Sequence, residues 1–391
     1  MASLVGVFLV FSLFLGISEA APKELVVGGN FPLSGPAATL GIAAQRGVER
    51  VVELINEKGF TVQGEQYILK VPILDNKYVP AESVSNLEKM LAQGIKVIYT
   101  IGGHTSTPLV EKTNAAKVLQ LSVANAGHNL TNAKYPLSFR MFPCDEAAFG
   151  EYPWLAKQYA QIKNVAHVNP SDEPGFVESK TRMKCAKNLG FKNVINEYFK
   201  RGATDFYPLA TRVLATKPDL IDMGATVGRD QALCVKALRE LGYKGLITIH
   251  YVDPSAFIQI AGADAAEGVL IPNSISEPTN AKQKDVFDWY RNKFGGPAPG
   301  TLMDAYDTLY LLVEAVKKAN SVDPVKVAEA LRTVRWDSLF GELYMGLESV
   351  YGIKCSACRP IPIGLVKGGK ATHLTTVPWP SDAEIRKLNA D

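Results

Sequence analysis

Beyond residue 20 the 391-residue sequence has no apolar run approaching the ~20 residues that a membrane-spanning helix needs. It also lacks the short signatures of common chemistries. There is no GxSxG elbow, no Walker A loop, no GxGxxG fingerprint and no HExxH helix, so nothing marks a catalytic centre and no enzyme activity is expected. Charge of one sign is missing too. Forty-two basic residues stand against 39 acidic ones and are mixed along the chain, giving a net charge of +3 without a basic stripe, so no nucleic-acid partner is expected. The five histidines show none of the i,i+4 or clustered spacing that builds a metal centre, and neither metal nor cofactor is expected.

What is present begins with "MASLVGVFLVFSLFLGISEA", an apolar run from Leu4 to Ile17 followed by Ser18 and Ala20 at the positions a signal peptidase prefers. Residues 1–20 are expected to be a signal peptide cleaved near Ala20, leaving an exported, periplasmic protein. Five cysteines in an exported chain leave at least one unpaired. The Cys355–Cys358 CxxC runs into prolines and an apolar strand rather than a helix N-terminus, so it reads as a local disulfide or as free thiols, not as a redox pair. Cys144, Cys185 and Cys234 read as small buried or helix-face residues.

From residue 24 onward, strand and helix signals alternate. "ELVVGGNF" ends in Gly-Gly-Asn, and "GIAAQRGVERVVELINEKG" then places Val48, Val51, Val52 and Ile55 on one helical face and stops at Gly59. A second set of alternating elements starts near "NVAHVN" at residue 164. Two such sets predict an α/β protein of two doubly wound, Rossmann-like lobes with a cleft at the carboxyl ends of their strands. A crossover is expected around Arg140 to Asp145 and another past Gly268. After Gly341 the pattern turns to short strands, with "IPIGLVKGGK" read as an edge strand and turn.

"IGGHTSTPLVEKTNAAKVLQLSVANAGHNLT" contains two turns that each follow an apolar strand. In the first, Gly103, His104, Thr105 and Ser106 open a helix whose amides and dipole favour a small anion. The second, Ala124, Asn125 and Ala126, repeats the arrangement after the next strand. His104, His128 and His250 each follow an apolar strand, and His250 is a candidate hydrogen-bond donor to a ligand in the cleft.

Taken together, "VVGGNFPLSGPAATLGIAAQRGVERVVELINEKG", "IGGHTSTPLVEKT", "LQLSVANAGHNLT", "SFRMFPCDEAAFG", "DLIDMGATVGRDQALCVKALRELGY" and "IAGADAAEGVLIP" resemble the periplasmic Leu/Ile/Val-type solute-binding proteins of ABC importers. The resemblance spans nearly all of the chain past residue 20. It implies the type I periplasmic binding protein fold, two lobes joined by three hinge crossings. Residues 21–142 plus 271–342 are expected in the first lobe, and 143–270 plus 343–391 in the second. It further implies a monomer that encloses a small carboxylate and delivers it to a membrane permease. The carboxylate would be held by Gly103–Ser106 and by Ala124–Ala126, with Phe176, Thr226, His250 and Tyr251 contributed by the second lobe.

The chain departs from the amino-acid-binding pattern of that family. Where an acidic residue would neutralise a ligand ammonium, His250 or Tyr251 stands, with Asp253 just beyond, and an aromatic residue before the first-helix glycine is replaced by Leu40. A buried ammonium without a carboxylate costs several kcal/mol. Two ligand classes therefore stay open: a branched-chain amino acid partnered by Asp253 or Glu173, or an aromatic or other hydrophobic carboxylate without an amine. A sensor that signals to a membrane receptor is the alternative role.

Overall fold

The computed structural model describes residues 21–391 except 125–128, 251, 276 and 297. The signal-peptide expectation for residues 1–20 lies outside the described residues, as do Asn125, Ala126, His128 and Tyr251.

The first seven strands are β1 (Lys23–Phe31), β2 (Phe60–Val62), β3 (Glu65–Lys70), β4 (Ile73–Asp75), β5 (Val97–Ile101), β6 (Leu119–Val123) and β7 (Ser138–Arg140). The next five are β8 (Asn164–Pro170), β9 (Lys192–Phe199), β10 (Leu220–Met223), β11 (Leu246–Ile249) and β12 (Val269–Pro272). The last five are β13 (Arg335–Ser338), β14 (Gly341–Gly346), β15 (Ser356–Cys358), β16 (Ile361–Lys367) and β17 (Lys370–Val377).

They form two sheets. One runs β13-β14-β15-β7-β6-β5-β1-β3-β2 with β4 beside β1, and the other runs β17-β16-β12-β11-β10-β8-β9. The centres of both are parallel and in register, Val27 opposite Val97 and Val97 opposite Leu119 in the first, Leu220 opposite Val165 and Leu246 in the second. The apolar strands β5 and β6 are buried along their whole length, as parallel strands covered on both faces must be.

The two lobes repeat one local device. In each, a glycine near the start of the first helix lies against the carbonyl of the proline at the preceding strand's end. An added Cβ would come within 2.0 Å of Pro32 O at Gly41, and within 1.9 Å of Pro170 O at Gly175. Only glycine lets helix and strand end approach that closely.

The expected boundary at 342/343 falls inside β14. Both β14 and β15 pair in the first sheet, so the chain leaves that sheet only between Cys358 and Ile361. The short apolar strands after Gly341 thus divide between the lobes. β17, not β16, forms the outer edge of the second sheet.

Three crossings pass between the sheets, after β7, after β12 and after β15. They lie side by side. The Asn273 side chain donates to Pro143 O at 3.3 Å, which bonds the middle crossing to the first, and its backbone N–H donates to Pro362 O in β16 at 2.8 Å. All five cysteines are buried free thiols. Burial pushes the Cys185 thiol above the ordinary range and the Cys355 thiol up to about 12, which disfavours the thiolate at both.

Candidate functional site

The first turn starts beside the end of β6. Gly102 donates its N–H to Val123 O at 2.9 Å, which fixes the end of β5 against the end of β6. Gly102 has φ +88 and precedes the turn Gly103–Ser106, which no side chain caps. Below it, polar side chains lock the turn. Thr105 Oγ1 donates to Ile101 O, Ser106 Oγ donates to Gly102 O and lies 2.8 Å from Thr100 Oγ1, and Gln120 Nε2 donates to Ser106 O. Thr105 and Ser106 are fully buried, side chain and backbone alike. His104 is exposed, its ring 5.5 Å from that of Tyr78. Ala124, at φ +53, ends β6 beside them.

The opposite lobe closes against this wall. The turn Gly103–Ser106 lies against the helix Glu173–Asn188, and Asn129 Nδ2 donates to Glu173 Oε1 across the gap at 2.5 Å. Phe176 sits at the start of that helix, half-exposed, with its ring 4.9 Å from Tyr198. Burial raises the Tyr78 hydroxyl pKa, with Arg201 and Asp172 of the second lobe close enough to act on it.

The other second-lobe candidates are held inside their own lobe. Thr226 is buried and its hydroxyl donates to Val168 O at 3.1 Å. The His250 ring is buried and turned toward a charge cluster centred on Arg182, with Nδ1 3.3 Å from that guanidinium and Nε2 3.4 Å from Asp222. Arg182 also meets Glu178 at 2.8 Å and Glu151 at 2.9 Å. Although burial works against it, Asp222 is held far below the usual carboxylate range, by Arg182 first and then His250. Asp253 caps the helix Pro254–Ala261 through Ser255 N and Ala256 N, so it already has a structural task.

Where the crossings meet, a small cavity of ≈ 20 Å³ opens between the lobes. Ala124, Leu40, Thr301 and Asp304 wall it from the first lobe, Val252 from the second, and Phe142, Asn273 and Ser274 from the crossings. Its space holds about one water molecule, so any larger guest enters only with the lobes apart. Of the sequence candidates that are described, Ala124 lines it.

Asp304 was not among the candidates. It lies on the helix Gly300–Ala319, whose apolar length reads as plain core packing. Its signal was available: Asp304 and Asp307, three apart on an otherwise apolar face, must be buried together and need a cation. That cation is Arg359, whose guanidinium reaches Asp304 Oδ1 at 3.2 Å and stacks on Phe340 at 4.0 Å. Burial pushes the Asp304 carboxyl up to about 7 against the pull of Arg359, with Asp307 adding to the rise.

The family described as periplasmic binding protein matches residues 24–357. The leucine-, isoleucine-, valine-, threonine- and alanine-binding protein of Pseudomonas aeruginosa is 25% identical over 317 residues, which cover 80% of this chain and 83% of that protein. Among solved structures, the Brucella ovis protein of the same description, in its closed conformation, superposes with a TM-score of 0.78 at 20% identity, covering 92% of this chain and 96% of that one. A solute-binding protein of an ABC transporter from Rhodopseudomonas palustris, in complex with 3,4-dihydroxybenzoic acid, gives 0.74 at 20% identity, covering 92% and 98%.

Proposed function

Because the chain belongs to the periplasmic binding protein family, we propose that it is the solute-capturing component of an ABC importer, closing on a small carboxylate and presenting it to a membrane permease. The family places it in the periplasm or outside the cell, and the signal-peptide reading of residues 1–20 points the same way. The observation that carries the proposal is the Gly102–Val123 hydrogen bond. It holds the start of the Gly103–Ser106 turn against the end of β6, whose next residue, Ala124, lines the cavity between the lobes. Amides at the start of a helical turn attract negative charge, and closure around a guest buries it almost entirely. The protein acts as a monomer in this reading.

A branched-chain amino acid is the leading ligand, by analogy with the Pseudomonas aeruginosa relative. A carboxylate lacking an amine is the second reading. It is favoured by the engagement of Asp253 as a helix cap and of Glu173 with Asn129, which removes both acidic partners that the sequence offered. A thermal-shift screen of L-leucine, L-isoleucine, L-valine, benzoate and 3,4-dihydroxybenzoate tests the role. A ligand that binds only the folded state raises the melting temperature with its concentration. No response to any amino acid or carboxylate would sink the reading.

A further inference from the structure

Among the described residues that line the interlobe cavity, Asp304 is the one carboxylate. It is 8% exposed, and only its Oδ1 is engaged, by Arg359 at 3.2 Å; Oδ2 has no hydrogen-bond partner among the described residues. Arg359 does not turn fully onto it. That guanidinium also donates to Pro360 O at 3.1 Å and lies over the rings of Phe142 and Phe340. The charges nearby do not balance. Asp304 and Asp307 face one guanidinium, with the buried Tyr99 hydroxyl as the remaining titratable neighbour, and burial holds that phenol well above its ordinary range. Two carboxylates and one cation in a dry site leave room for a second positive charge.

We propose that Asp304 receives the ammonium of the ligand, so that the interlobe site takes zwitterionic amino acids and rejects carboxylates that lack the amine. This rests on the solute-binding reading above and chooses between its two ligand classes. The carboxylate and ammonium of an α-amino acid sit on one carbon, and Ala124 and Asp304 line one small cavity. A guest that opens this cavity is therefore flanked by Ala124 on one side and by Asp304 on the other. An amine-free acid would bury its apolar body beside an uncompensated carboxylate, or else bind only when Asp304 is protonated.

The test compares L-leucine, L-valine, 2-hydroxy-4-methylpentanoate and benzoate by isothermal titration against the wild-type protein and Asp304→Asn. The hydroxy acid keeps the carboxylate and side chain of leucine and loses only the amine. In the wild type an amino acid is expected to bind at least about a hundredfold tighter than the hydroxy acid. In Asp304→Asn the amino acid loses about tenfold or more, and the gap narrows. Unchanged amino-acid affinity in Asp304→Asn overturns the assignment, as does wild-type binding of the hydroxy acid or benzoate that equals that of the amino acids. Binding of neither amino acid nor carboxylate overturns the solute-binding reading itself. Should Asp304→Asn fail to fold, titrating the wild type with L-leucine and L-valine in two buffers of different ionisation enthalpy decides. An ammonium arriving at Asp304 expels its proton near neutral pH, whereas binding with no net proton release means the ammonium lodges elsewhere.

Discussion

The backbone N–H of Gly102 reaches Val123 O at 2.9 Å, and the same glycine lies under the ring of Tyr78, where an added Cβ would come within 2.7 Å of Cε2. At φ +88 any other residue is strained as well as crowded. Gly102→Ala is expected to cost about 1–3 kcal/mol of stability. It should also displace the two turns and weaken ligand binding about tenfold. Urea unfolding and titration calorimetry check both, and a variant with wild-type affinity would show that the turns do not hold the guest.

Arg182 is expected to be the most sensitive charged residue of the second lobe. It is fully buried and meets Glu178, Glu151 and Asp222. Arg182→Ala removes the cation and leaves three carboxylates in a dry site, a loss of about 3–5 kcal/mol. Arg182→Lys keeps the charge but not the forked geometry and should fall between. Equilibrium unfolding in urea measures the series; a cost under about 1 kcal/mol for the alanine variant would mean that the cluster is solvated.

Stability should fall as pH rises from about 4.5 towards neutrality. Burial pushes the Glu146 carboxyl from its ordinary 4.5 to about 7, with Arg140 pulling it back down and Asp145 adding to the rise. Between those values the folded protein binds a proton that the unfolded chain has lost. The stabilisation is therefore complete below about 4.5 and disappears as pH passes 7, at up to about 1.4 kcal/mol per pH unit. Asp307, raised by burial to about 6, acts in the same sense. Glu146→Gln should flatten the slope. Urea unfolding at a series of pH values gives it, and an equally steep profile in the variant would refute the assignment.

Much of the architecture was legible because parallel strands and their covering helices write strong patterns. "VIYTI" and "LQLSV" are unbroken apolar runs, and both became buried central strands. The strands after Gly341 were harder, since short apolar runs carry no mark of which sheet they join; the contacts of Ser356 with Arg140 and Glu146 assign β15 to the first lobe. The adjacency of β5 and β6 followed from strand order. The partners of His250 did not, because they come from two helices and a strand up to ~100 positions away. Asp304 went unseen for a related reason. Asp304 and Asp307 mark an apolar helix face, but the cation they need lies 55 positions beyond Asp304, at Arg359.

Asn273 ties the middle crossing to Pro143 on one side and Pro362 on the other. The first two straps are bonded to each other there, so a swing of one half about the other must carry both together.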